Sequence, residues 1–198
     1  MSDILELDII LKGAKPKIWR RVRVPSDMTF HELHYVIQFA MGWTNSHLHQ
    51  FILGRRDTCI GIPHPDYDMD MEDSRELKIS KHLHAPKDKL VYEYDFGDSW
   101  EHEVVVKKVL PAEPGQSYPV CTDGQGACPP EDCGGVWGYA DLLEILKKPG
   151  TDEYKEMVEW LGADFDPNDF DVAETNEAYF KNFKKEMQEW DDLMDWQA

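Results

Sequence analysis

Positive charge is scarce in this sequence beside negative charge. Its 198 residues hold 21 Lys and Arg against 39 Asp and Glu, a formal net charge of −18. A DNA duplex carries a negative charge about every 1.7 Å, so a chain this acidic is repelled unless a local basic face intervenes. The one basic run is Lys12, Lys15, Lys17, Arg20, Arg21 and Arg23, which reads as the solvated face of a strand pair; nucleic acid is disfavoured as a partner. Long apolar runs are missing too. Nothing approaches the roughly 18 residues of a membrane span, and the start MSDILELDIILKG has acids where a secretion signal needs positive charge. A cytoplasmic chain is expected, in which the four cysteines stay reduced. There is no G-x-S-x-G elbow, no P-loop and no dinucleotide fingerprint. The triplet DFG at 95–97 stands without the other kinase signatures.

What is present is a run of strands followed by helices. Residues 4–12 and 17–24 alternate as strands around Gly13-Ala14-Lys15-Pro16, the second with Ile18, Arg20, Val22 and Val24 on one face. Thr29 and Glu32 have capping-box spacing, and Phe30, Leu33, Ile37, Ala40 and Met41 then form a helical stripe that Gly42 ends. Residues 47–54, 90–97 and 101–110 read as further strands, the last two as a hairpin. Residues 111–137 lack apolar periodicity and hold five Gly and five Pro, an ordered loop long enough to suggest function. From Tyr139 the pattern is helical, with Thr151 capping one helix and Tyr179, Phe180, Phe183, Met187, Trp190 and Met194 striping the last. The class is α+β: a mostly antiparallel sheet with one helix after the first hairpin, then a helical C-terminal region. One domain is expected over 1–183 (sheet about 1–110, loop 111–137, helices 138–183), with 184–198 an acidic helical extension.

Two metal chemistries suggest themselves. Asp66, Asp68 and Asp70 sit at EF-hand offsets, but Met71 stands where the Gly is needed and Leu77 where the bidentate Glu is needed; the segment from Asp164 fails likewise. The other is zinc. Cys121, Cys128 and Cys133 are spaced more widely than a zinc knuckle, yet a Gly/Pro loop could fold them round an ion with His102 as fourth ligand and His47 or His49 in reserve. The same cysteines also read as small buried hydrophobes, or as redox or nucleophilic thiols. Glu131 and Asp132, being adjacent, point different ways and suit capping of a helix that starts near Trp137 or Gly138. Trp43, His47, His49, Tyr94, Trp100, His102, Trp137 and Tyr139 fall at element ends, where aromatics close the core edge or line a pocket.

The segments FHELHYVIQFAMGWTNSHLHQF, YDFGDSWEHEV, CTDGQGACPPEDCGGVWGY and FDPNDFDVAETN, in this order, resemble the plasmid pRi ORF-three-like family, some members of which carry transposon-passenger or resolvase-like labels. The resemblance runs to about Phe183. It implies a compact α+β domain without an established activity. It also implies that Trp43, His47, Asp95, Gly97, Asp98, Trp100, His102, Cys121, Cys128, Pro129, Pro130, Glu131, Asp132, Gly134, Gly135 and Tyr139 occupy the family's motif positions. The expected function is a binding module for a protein or small ligand, with a groove of Trp43, His47, His49, Asp95, Asp98, Trp100, His102, Glu131, Asp132 and Tyr139. Its rivals are a zinc hydrolase, with His102 and the cysteines on the metal and Glu131 or Asp132 as base, and an accessory protein of mobile DNA.

Overall fold

The computed structural model describes residues 2–54, 58–63, 71–162 and 165–194. An eight-stranded sheet carries the fold, in the order β5-β4-β3-β6-β7-β1-β2-β8. The strands are β1 Ile4–Leu11, β2 Trp19–Pro25, β3 His49–Leu53, β4 Thr58–Gly61, β5 Met71–Asp73, β6 Lys89–Tyr94, β7 Trp100–Leu110 and β8 Val120–Gln125. All pairings are antiparallel except β4 with β5. The helices are α1 Phe30–Met41, α2 Gly135–Leu146, α3 Asp152–Leu161, α4 Val172–Thr175 and α5 Phe183–Met194, and a π-turn at Asn176–Phe180 follows α4. The fold is α+β, with a mostly antiparallel sheet. No helix among the described residues is long and apolar enough to cross a membrane.

Helix α1 begins and ends where its sequence directs. The Thr29 hydroxyl accepts from the Glu32 N–H while the Glu32 carboxylate accepts from the Thr29 N–H, and Gly42 takes the left-handed conformation at φ 98°. Ten of its twelve residues are buried, so the helix has neighbours on both sides. One side faces the sheet. On the other, Phe39 stacks on Tyr179 at 4.9 Å and meets Trp190 of α5 edge-on at 4.7 Å. The acidic tail helix is therefore docked on α1 through its aromatic stripe.

The region 111–137 is not one long loop. Residues 120–125 form the edge strand β8, paired with β2. Its outer edge is closed by the Asn176 side chain, which accepts from the Cys121 N–H at 2.9 Å and donates to the Cys121 carbonyl at 2.8 Å. A side-chain amide thus copies what a ninth strand would do. The sequence VCTDGQ shows no alternation because an edge strand pinned by one amide does not need two distinct faces. Strands β4 and β5, both short, also lie outside the strands expected from periodicity, and the acidic run at 66–70 lies outside the described residues.

The basic run at the N-terminus is not a uniformly solvated face. Arg20, on the face shared with Ile18, Val22 and Val24, is 1% exposed. Its guanidinium donates to the carbonyls of Ala40, Trp19, Gln125 and Gly126 at 2.7 to 3.0 Å and lies 3.7 Å over the Phe170 ring. It fastens β8 and the chain after it to the end of α1. Burial lowers its pKa to about 10.

Candidate functional site

Three separated segments meet at one end of the sheet: the chain between α1 and β3, the β6–β7 turn, and the loop from β8 to α2. Each is fixed by its own local chemistry. In the first, Asn45 holds a left-handed backbone at φ 56° and is fastened from below by a closed ring of buried hydrogen bonds. Gln38 donates to the Tyr92 hydroxyl, Tyr92 donates to Nδ1 of His34, Nε2 of His34 donates to the Asn45 side-chain oxygen, and the Asn45 N–H returns to Gln38. The four distances are 2.8 or 2.9 Å, and each member acts once as donor and once as acceptor. Burial holds the His34 pKa well below its usual value, so the ring is neutral as this circuit requires.

In the second segment, Asp95 is left-handed at φ 57° and its carboxylate accepts from the Gly97 N–H at 2.8 Å. In the third, Asp132 is left-handed at φ 56°. The Asp98 carboxylate accepts from the Gly134 N–H at 3.1 Å and fastens the turn to the loop. Gly135 is needed for that approach: a Cβ there would stand 2.5 Å from the Asp98 carbonyl oxygen. Glu131 is tied back to the first segment. It accepts from the Thr44 N–H and hydroxyl at 2.8 and 2.9 Å and from the Tyr94 hydroxyl at 3.1 Å. Neither Glu131 nor Asp132 caps α2, whose N-cap is Gly134 with no side-chain bond.

The result is an imidazole facing three carboxylates. Nε2 of His47 lies 3.2 Å from Asp132, 3.6 Å from Glu131 and 3.7 Å from Asp95. This nitrogen is shielded from solvent and makes no hydrogen bond. Ligand atoms of His47, Asp95 and Asp132 all lie within 4.8 Å of one another, the one group of three or more such residues among those described. Asp132 stays open, with 71% of its side chain exposed. Among the described residues no Lys or Arg forms an ion pair with Asp95, Asp98, Glu131 or Asp132.

The cysteine set does not gather. Cys121, Cys128, Cys133 and His102 form no group of three or more with ligand atoms within that range. Cys121 is buried on β8, its thiol donating weakly to the Asp123 carbonyl at 3.6 Å. Burial raises the thiols, Cys121 to about 11 and Cys133 to about 12, with Cys128 well above its usual value. His102 is fully buried on β7, its Nδ1 donating to the Trp100 carbonyl at 2.9 Å, and burial lowers its pKa to about 4. Strand pairing sets His102 of β7 and Cys121 of β8 in the core wall, while Cys128 and Cys133 lie in the loop between β8 and α2.

The remaining expected groove residues divide the same way. Trp43 and Trp100 pack with their rings tilted by 38° and 5.3 Å apart and, with Tyr139, are 2% exposed or less. They support the site from below and do not line it. His49 stacks flat on His34 at 3.5 Å. It faces a cavity together with His47. The residues that sequence reasoning missed are the buried positioning set, Gln38, His34, Tyr92 and Asn45. The one available signal was two polar residues, His34 and Gln38, within a helix otherwise apolar on that side.

Comparisons with known proteins place this architecture. The family model described as plasmid pRiA4b ORF-3-like protein matches residues 3–174. An uncharacterised protein of Sinorhizobium fredii (strain NBRC 101917 / NGR234), y4hQ, is 37% identical over 180 residues, which cover 89% of this chain and 88% of that protein. The crystal structure of a protein of unknown function from Methanosarcina mazei Go1, MM3350, superimposes with a TM-score of 0.79 at 38% identity, covering 88% of this chain and 98% of the other. Motif order, fold and these matches agree, and the chain belongs to the plasmid pRiA4b ORF-3-like family.

Proposed function

We propose that this chain is a binding module whose ligand is held through a divalent cation between His47, Asp95 and Asp132, with Glu131 behind. The observation that carries the reading is the spacing around His47 Nε2. Hydrogen bonds to a carboxylate run about 2.7–2.9 Å when charge-assisted, whereas ligand atoms sharing an ion about 2.0–2.4 Å away sit about 3–4 Å apart. The three contacts, at 3.2 to 3.7 Å, fall in the second range. Shielded imidazole nitrogens without a partner are costly unless something occupies them. One imidazole with several carboxylates suits manganese or zinc.

The cation would leave the Asp132 side open, and the protein or small ligand would complete its coordination there. Carboxylates without basic neighbours disfavour a nucleic-acid backbone in this role. Equilibrium dialysis against Mn²⁺ and Zn²⁺ tests the reading. One ion per chain is expected, with affinity lowered about 100-fold in His47→Ala. Stoichiometric binding that His47→Ala leaves intact, or no binding at all, sinks it.

The second reading, metal-assisted hydrolysis, is favoured by that same open side, where a bound water could face Asp132. Glu131 is ill placed as the base, because three hydrogen bonds already hold it. Turnover of activated esters that depends on metal and on Asp132 would support hydrolysis; metal binding with no turnover would leave the binding module.

A further inference from the structure

Among the described residues six large apolar side chains are exposed, and three of them, Leu48, Phe96 and Trp137, belong to the segments that build the site. Single exposed apolar groups are ordinary on a protein surface. One on each of three converging segments is a concentration that calls for a partner. Trp137, at 82%, is the most exposed of the six. The inward stripe of α2 is Gly135, Tyr139 and Leu142, and position 137 lies about 200° round the helix from Gly135. Gly135 is pressed against the Asp98 carbonyl, so the indole leaves the helix into solvent from its acidic end. Phe96, 39% exposed, sits between Asp95 and Gly97; Leu48, 57% exposed, follows His47. The Leu48 carbonyl accepts from the Asp95 N–H at 2.9 Å, which ties those two segments together.

Charge decides what such a surface fits. Asp95, Asp98, Glu131 and Asp132 stand on the same segments, and a divalent cation at His47 would bring two positive charges against four carboxylates. The β1–β2 turn packs on Val136, but its lysines are placed elsewhere. Lys12 pairs with Glu101, and Lys15 lines a separate cavity with Ala140 and Leu143, farther along α2. A nucleic acid or an anionic bilayer is repelled here, and a purely apolar ligand leaves the acids unmatched. An Arg side chain answers both demands. Its guanidinium stacks on an aromatic face and donates to a carboxylate, while its stem is apolar. Asp98 is half-buried and accepts from the Gly134 N–H through one oxygen, which leaves the other for a guanidinium.

We propose that Leu48, Phe96 and Trp137, together with Asp98, form a docking surface for an Arg-bearing segment of a partner protein. A segment fits where a small cation does not, because one guanidinium cannot cover three large apolar side chains. This deepens the binding-module reading and rests on it, but it does not need the cation: Asp98 is not among the residues assigned to the metal.

The test titrates a defined peptide, Gly-Ser-Arg-Leu-Arg-Ser-Gly amide, into the isotope-labelled full chain in about 0.15 M salt, which screens unspecific attraction. The readout is the indole N–H signal of Trp137, identified as the one that Trp137→Ser removes. It should shift and saturate. The counterpart peptide with citrulline for both arginines keeps the shape without the charge and should bind at least about tenfold more weakly. By peptide fluorescence anisotropy, Trp137→Ser and Asp98→Asn should each weaken binding at least about fivefold while the circular dichroism spectrum stays unchanged. The Asn keeps an acceptor oxygen for Gly134. Trp160→Ser, on the exposed face of α3, should leave the affinity as it is. No Trp137 shift at millimolar peptide, equal binding of the citrulline peptide, or equal weakening by Trp160→Ser and Trp137→Ser overturns the proposal. Titrations in EDTA and in Mn²⁺ keep the two ideas apart. Failure of the peptide while dialysis still finds one ion per chain removes the docking surface alone; peptide binding with no ion in dialysis removes the cation alone.

Discussion

Two groups of carboxylates in this protein are treated in opposite ways. On β1, Glu6 and Asp8 are 3% and 7% exposed. Glu6 meets Arg23 and Lys108 at 3.1 Å, and Asp8 meets Arg21 at 2.7 Å and Lys107 at 3.7 Å. Each acid has two cations from the neighbouring strands. At the sheet end, Asp95, Glu131 and Asp132 converge on one imidazole and, among the described residues, on no Lys or Arg. Where charge is structural, the fold supplies counter-charge along the strand register. At the sheet end the acids are instead held by left-handed backbone at Asp95 and Asp132 and by hydrogen bonds to Asp95 and Glu131, the arrangement on which the cation proposal rests.

The largest way to sharpen that contrast is to supply the cation. Saturation at about 100 times Kd should stabilise the wild type by about 2.7 kcal/mol. Asp95→Asn, which suits the left-handed backbone, should lose nearly all of that gain. Denaturant melts with and without Mn²⁺ or Zn²⁺ measure it, and equal gains in both proteins would erase the distinction between the two groups.

Breaking the structural group should cost nearly as much without any ligand. Arg23→Ala leaves Glu6 buried with Lys108 as its remaining cation. A loss of about 2 kcal/mol is expected, below the full penalty for a severed buried pair because Arg23 is partly exposed and Lys108 stays. Urea unfolding in chelator reads it, and a change under about 0.5 kcal/mol would mean the strand pairs are ornamental.

A pH dependence separates the groups further. Burial alone would raise the Glu6 carboxyl, but Lys108 and Arg23 outweigh it and hold its pKa below the ordinary 4.5. A lowered carboxyl contributes stability that is present above the unfolded pKa and is lost as pH falls through the folded one. The stability advantage of the wild type over Glu6→Gln should accordingly be full at pH 6 and shrink progressively below about pH 4.5. An advantage that grows on acidification would contradict the pairing.

How far the sequence foretold this depends on whether an element is specified locally. Thr29, Glu32 and Gly42 mark both ends of α1 because caps act within one turn, and the two central hairpins follow from alternation. Strand β8 was hidden because it is held by β2 and one distant amide, Asn176. The site residues were legible as members of a groove but not as a constellation: positions 47, 95 and 131–132 meet only through the sheet order and the left-handed backbone at Asp95 and Asp132. The cysteines drew the zinc reading by composition alone. Register then buried Cys121 and His102 in the wall, a long-range outcome that spacing does not encode.

The smallest predicted effect is the one that reverses sign between the groups. In metal-free protein, Asp132→Asn removes one of three like charges around His47 and leaves a residue that accepts φ near 56° as readily as Asp does. The side chain is 71% exposed, so screening limits the relief to about 0.5 kcal/mol, but the direction is stabilising. Asp8→Asn on β1 should do the opposite, since it deprives Arg21 and Lys107 of their counter-charge. Paired chevron or urea measurements in EDTA compare the two directly. If Asp132→Asn destabilises as Asp8→Asn does, the three acids are being compensated by the native fold itself, and the space between them needs no cation.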